Sequence, residues 1–316
     1  MPTRSEAVDK RLPAGSYAMG LTPFTRTGAL DEGALRDHVA WLAREGVGFW
    51  PASPATEEGV QMSDAEILRT VELVRETGTA GPVVASNREY PTARDNLRFI
   101  REAYARGADA VQLHPPTLGH SFAPDATMLR SFYADVLSAT AVPVVLSSNF
   151  MTGFEVPGEV LEAQVREYPH VIGVFTHHPD QHRVAALTQR LVPHTTVLTI
   201  TQKAVFAHLV GARAELDNLQ NIAPRLCRGL HDALTGGEGA QVAALYGEVT
   251  RLWSGTSGFV AEHGLPRVVV YKAILRALGH PGGHPRKPYP ALGDDETKAV
   301  AALADSLGLR ESEGLT

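Results

Sequence analysis

The residues of this chain that could do chemistry fall at the ends of short apolar runs. DAVQLH (109–114) ends at His114, and VIGVFT (171–176) runs into His177 and His178. TVLTI (196–200) runs into Thr201, Gln202 and Lys203, and AELDNLQ (214–220) carries Asp217 and Asn218, with Asn221 next. Glu57 and Glu58 follow GFWPAS (48–53), and PVVAS (82–86) ends at Ser86 with Asn87 beyond it. A histidine gives or takes protons near neutral pH. A lysine in apolar surroundings loses its proton more easily and becomes a nucleophile. Two imidazoles and a carboxylate, here His114, His177 and Glu58, have the donor set for zinc or a similar ion. No tight ligand spacing on a helix supports such a metal site, and with 13 histidines chance co-location is easy.

Each candidate has a plainer reading beside it. His177 and His178 read equally as exposed loop histidines, and Lys203 as a solvated lysine at a helix start. His38 and His208 fall within helical patterns, on or beside their packed faces. Cys227 is the single cysteine, which excludes an intramolecular disulfide and a cysteine metal cluster. Its apolar neighbours at helical spacing read as a buried, inert thiol.

The elements that must position these groups follow from periodicity. Eight short apolar runs, the six above together with SYAMGLT (16–22) and VPVVLS (142–147), start about 20–35 residues apart and alternate with amphipathic stretches. That rhythm predicts repeated strand–helix units, a parallel sheet, and at eight units an α/β fold closed as a (β/α)8 TIM barrel. Asp31, Ser63 with Glu66, and Thr92 are N-cap signals. After Pro224 the strand signal ends. Residues 225–235, 238–254, 265–278 and 294–308 read as helices, with a break expected at GTSG (255–258). The division expected is a barrel over 1–224 and a C-terminal helical extension over 225–316, packed on it.

Composition bounds the partners. The chain has 316 residues, 44% of them apolar and 20% charged, a net charge of −6 and a pI near 6.1. Nothing favours nucleic acid or an anionic membrane. No apolar run reaches bilayer-spanning length, and the N-terminus lacks a signal-peptide core. A cytoplasmic protein handling a small molecule, without a cofactor, is the expectation.

LTPFTRTGALD (21–31) and LPRVVVYKAILRALGHPGGHPRKPYPAL (265–292) together resemble the opening and C-terminal segments of the dihydrodipicolinate synthase / N-acetylneuraminate lyase family. The resemblance runs over roughly residues 15–308, with Lys272 at the family's helical lysine. It implies a barrel with C-terminal helices and a homo-oligomer, a tetramer or dimer. The site motifs depart from the family's. Its carboxylate-binding loop after strand two reads Pro54-Ala55-Thr56-Glu57-Glu58, keeping Thr56 and Glu58. Its tyrosine segment after strand four reads Pro115-Pro116-Thr117. The segment after strand five reads Ser147-Ser148-Asn149-Phe150. At the strand-six position of the Schiff-base lysine the chain has Phe175, which has no nucleophile. If position 175 faces the barrel axis, Gly173 and His177 share that face.

These readings give His177, Lys203 and His114 as candidate catalytic residues. Thr56, Glu58, Thr117, Ser147, Asn149, Phe175 and Asn221 are the candidate substrate contacts. The activity expected is that of a lyase or aldolase-like enzyme on a small polar, oxo-acid-like substrate, working by acid/base chemistry without an imine. The alternatives are a catalytically inactive barrel that binds a small molecule or partner, and a metal-assisted lyase, hydratase or isomerase. Lys203 could in principle replace the lost Schiff-base lysine.

Overall fold

A computed structural model describes residues 11–54, 58–119 and 122–315, the side chain of Phe150 excepted. Strands and helices alternate through β1 (Gly15–Met19), α1 (Glu32–Arg44), β2 (Gly48–Trp50), α2 (Asp64–Thr77), β3 (Val84–Ser86), α3 (Ala93–Ala105), β4 (Ala110–Leu113) and α4 (Ala126–Leu137). They continue through β5 (Val144–Asn149), α5 (Gly158–Glu167), β6 (Val171–His177), α6 (Gln181–Leu191), β7 (Thr196–Thr199), α7 (Ala204–Leu209) and β8 (Ala214–Asp217). The hydrogen-bonded order is β2-β1-β8-β7-β6-β5-β4-β3. Ser86 N–H donates to the Pro51 carbonyl at 3.4 Å, so the two outermost strands meet and the sheet curls into a (β/α)8 barrel. Each of the eight apolar runs overlaps a strand.

Local chemistry sets the helix starts. The Asp31 carboxylate accepts from Ala34 N–H at 3.1 Å, and Thr92 Oγ1 from Asp95 N–H at 3.1 Å. Ser63 and Glu66 form a reciprocal capping box at the start of α2.

Strand alternation divides the core in two. Tyr17, Trp50, Val84, Ala110, Val145, Phe175, Leu198 and Ala214, one from each strand, pack together in the barrel lumen. Val144, Leu146 and Val174, their out-of-phase neighbours, join the larger layer between strands and helices.

Five helices follow: α8 (Pro224–Gly236), α9 (Gly239–His263), α10 (Arg267–Ala277), α11 (Asp294–Ser306) and α12 (Leu309–Ser312). The break expected at 255–258 is absent, and α9 runs through it for 25 residues. A Cβ at Gly255 would stand 2.9 Å from Leu307 Cδ2, so this glycine permits a close approach between helices and is not a stop. Thr256 is buried and returns its hydroxyl to the Leu252 carbonyl at 2.9 Å, keeping its polar atom within the helix. α9 ends at Gly264, whose φ of +63° suits a residue without Cβ. No described helix is long and apolar enough to cross a membrane.

Candidate active site

The site is built from the last residues of β5 and β6. Their register pairs Ser147 with Phe175 and Asn149 with His177. Phe175 belongs to the lumen cluster, so Ser147, Asn149 and His177, in phase with it, line the same side. Above the lumen lies a cavity of about 270 Å³. Asn149, Phe175, His177, Ile200, Gln202, Asp217 and Asn218 form its strand-end wall. Met19 and Met151 flank them, and Trp253 from α9 and Arg267 from α10 close the far side.

The electrostatics of this cavity are governed by burial. Desolvation pushes the His177 imidazole down to about 4, and the nearby Lys203 and His178 charges act the same way. At neutral pH His177 is therefore uncharged, the state a general base needs. Burial raises the Asp217 carboxyl, against hydrogen bonds from its neighbours and the charge of Arg267. Its Oδ2 accepts from Thr201 N–H at 3.0 Å and its Oδ1 from Asn218 N–H at 2.7 Å. Arg267 lies over the Trp253 ring at 4.1 Å and donates to Tyr271 Oη at 3.3 Å and Ser257 Oγ at 3.2 Å.

Five lysines occur in the chain, and none lines this cavity among the described residues. Lys203 sits at the rim, where its ammonium donates to the Pro179 carbonyl at 2.8 Å. Its electrostatic reach to His177 is the link the structure gives it to the cavity. Lys272 is buried elsewhere, in an ion pair with Glu58.

The other expected contacts separate. Ser147 lies below Asn149 in the lumen, and its hydroxyl meets no described hydrogen-bond partner. The β4–β5 register pairs Gln112 with Val145 and, carried two residues on, sets His114 beside Ser147. His114 is buried, with its backbone N–H on Asn87 Oδ1 at 2.9 Å and Nδ1 4.0 Å from Glu89 Oε1. Burial holds its imidazole down to about 4. It is not part of the cavity wall around His177. Thr117 donates to Glu89 Oε2 at 3.0 Å and borders a neighbouring surface cleft shared with Leu118, Phe122 and Met151. Thr56 lies outside the described residues.

Two expected contacts are occupied by the fold itself. Glu58, at φ +67°, holds Lys272 with one carboxylate oxygen and accepts from Arg286 N–H at 2.5 Å with the other. Asn221 donates to the Met19 and Asn218 carbonyls, and its Oδ1 takes Leu21 N–H at 3.1 Å and faces His38 Nε2 at 3.0 Å. With all its hydrogen-bonding groups used, Asn221 ties β1 to the β8 end and stands outside the cavity wall.

The metal alternative built on His114, His177 and Glu58 does not assemble, because Glu58 is bound by Lys272. Among the described residues, His208, Glu215 and His231 alone converge as three such donors. They lie buried between β8, α7 and α8. His208 Nε2 is 2.5 Å from Glu215 Oε1, and His231 Nδ1 is 2.8 Å from Oε2. One imidazole faces each oxygen of the Glu215 carboxylate, so the three groups pair with one another directly.

Sequence reasoning missed Met19, Met151, Trp253 and Arg267 as cavity residues. Met19 closes a strand and was open to the same strand-end rule. Trp253 and Arg267 sit on helices that no local signal ties to the barrel mouth.

The model of the dihydrodipicolinate synthetase family matches residues 12–307 of this chain. An uncharacterized DapA-like lyase of Pyrobaculum arsenaticum is 26% identical over 306 residues, covering 93% of this chain and 98% of its own. A Saccharopolyspora erythraea protein named a probable 5-dehydro-4-deoxyglucarate dehydratase is 26% identical over 306 residues, covering 95% and 96%. The crystal structure of dihydrodipicolinate synthase from Oceanobacillus iheyensis superimposes with a TM-score of 0.81 at 20% identity, over 95% of this chain and 98% of that one.

Proposed function

The chain belongs to the dihydrodipicolinate synthetase family, and within it we propose a lyase that acts on a small oxo-acid-like substrate by acid/base chemistry without an imine. One observation carries this reading: the cavity at the barrel mouth is lined by a neutral, half-buried His177 beside Phe175, and by no lysine among the described residues. Phenylalanine at the family's Schiff-base position leaves an imine route no amine there. His177 Nδ1 or Nε2 takes a proton from the carbon next to the substrate carbonyl. The electron pair left on that carbon forms the enolate, and a β-hydroxyl then leaves as water with a proton from a second acid. Asp217, whose carboxyl is raised by burial, is the candidate for that acid. Asn149, opposite His177 in register, is the candidate hydrogen-bond partner for the substrate oxygen. Relatives named as a lyase and as a dehydratase support the reaction class.

The division into a barrel over 1–224 and helices over 225–316 belongs to the same reading, as do cytoplasmic residence and self-association. Exposed Leu118, Phe122 and Met151, gathered at one cleft, support the self-association.

The test is a panel of β-hydroxy and 2-oxo acids followed for loss of water or carbon–carbon cleavage, with wild type beside His177→Gln. Turnover by wild type that His177→Gln lacks supports the reading. Turnover trapped by borohydride on Lys203 sinks the imine-free mechanism.

A further inference from the structure

We infer that Arg267 is the docking point for the substrate's carboxylate, so that the acid group binds on the helical side of the cavity, away from the strand-two loop. This rests on the cavity being the substrate site.

Three observations lead here. Arg267 lines the cavity, and its hydrogen bonds go to the neutral hydroxyls of Tyr271 and Ser257, with no ion pair to a described residue. Asp217, a carboxyl that feels its charge, has both oxygens taken by backbone N–H groups. The guanidinium is thus a preorganised cation, clamped against Trp253 at 4.1 Å, whose planar fork matches a carboxylate.

The second observation concerns the opposite wall. Glu58, the described acidic group of the strand-two loop, is spent on Lys272 and Arg286, and no described residue of that loop lines the cavity. Third, Met19, Phe175, Ile200 and Trp253 give the cavity between Arg267 and His177 an apolar wall. In such surroundings a single charge pair is stronger than in water, and a second charge on the ligand is penalised. The ligand class is therefore a monocarboxylate with an uncharged body. Its acid group lies on Arg267 and its reacting carbon toward His177.

The experiment is calorimetric titration of the full chain with 2-oxobutanoate and with its amide, 2-oxobutanamide. Wild type is expected to bind the acid about tenfold or more tighter than the amide, a difference of about 1.4 kcal/mol. Arg267→Met removes the preference while leaving amide binding in place. Arg267→Lys keeps the charge without the fork and retains part of it. Trp253→Leu, which loosens the clamp, lowers the preference with less effect on the amide. Near-ultraviolet circular dichroism verifies that each variant is folded, and Arg267→Lys carries the test if Arg267→Met does not fold. Equal affinity of wild type for acid and amide, no detectable binding of the acid, or a preference that survives undiminished in Arg267→Met, or in Arg267→Lys where that variant carries the test, overturns the inference. An Arg267-dependent preference without turnover leaves it standing and removes the lyase reading instead.

Discussion

Glu58 and Lys272 stand 214 positions apart in the chain and meet as an ion pair that solvent does not reach. The pair fixes the loop after β2 to the middle of α10. Burial pulls the lysine down to about 8, with the Glu58 charge working against that fall. The ammonium is held further by the His284 carbonyl at 3.0 Å and lies 4.6 Å from the centre of the Phe24 ring. Removing one partner strands the other charge in the interior. Lys272→Met is expected to cost about 3–5 kcal/mol in denaturant unfolding, and Glu58→Gln on that background to restore part of it. A loss of under about 1 kcal/mol in Lys272→Met would show that the pair is solvated in solution.

His177 titrates low because it is partly buried, with Lys203 and His178 nearby. Activity that depends on its neutral form is expected to stay level from pH 8 down to the acid region and to fall as pH approaches about 4. No histidine-like inflection near 6.5 is expected. Lys203→Met removes one of the charges that disfavour protonation, so the acid limb moves to higher pH. His177→Gln lowers kcat/KM by roughly 10²–10⁴-fold. A pH–rate profile of the three proteins decides the matter, and an unmoved limb in Lys203→Met would separate the lysine from the site.

Phe175 offers a gain-of-chemistry test. Wild type incubated with pyruvate and borohydride should show no mass increase. Phe175→Lys places an amine on the lumen face, where its condensation with the pyruvate carbonyl releases water and the imine is reduced to a secondary amine. A stable adduct in that variant alone would establish position 175 as the family's Schiff-base position. The variant should also unfold more easily, since the lumen around Phe175 is apolar.

Glu215 ties acid stability to the junction of β8, α7 and α8. Burial works to raise its carboxyl, but the hydrogen bonds of His208 and His231 outweigh that and leave it below its ordinary value of 4.5. A carboxyl lowered on folding stabilises the protein above the unfolded value, and that contribution is lost as pH falls below 4.5. Glu215→Gln should flatten the acid limb of the stability curve and, by breaking a buried network, cost about 3–5 kcal/mol near neutral pH. Thermal unfolding across the acid range reads both effects.

The barrel was legible because its signals are local: a lumen-facing residue on every strand, a cap at Asp31, a box at Ser63 and Glu66. So was the placement of Phe175 and His177 on one side, which follows from the two-residue period of a strand. Glu58 and Asn221 misled for the same reason that Arg267 stayed hidden. Which polar group at a strand end is consumed by a distant partner depends on contacts such as Glu58 with Lys272 or Asn221 with His38, and no local pattern encodes them. GTSG misled differently, since a glycine that lets two helices touch and one that ends a helix read alike until the neighbour, here Leu307, is known.

The Trp253–Arg267 stack has a bearing on how this protein comes into being on the ribosome. Seven of the cavity's lining side chains are in the chain by residue 202, and Asp217 and Asn218 follow soon after, yet the wall stays open until the segment through 267 has been made and has docked. A nascent chain that has already closed its eight strands would thus be a barrel whose cavity still lacks Trp253 and Arg267.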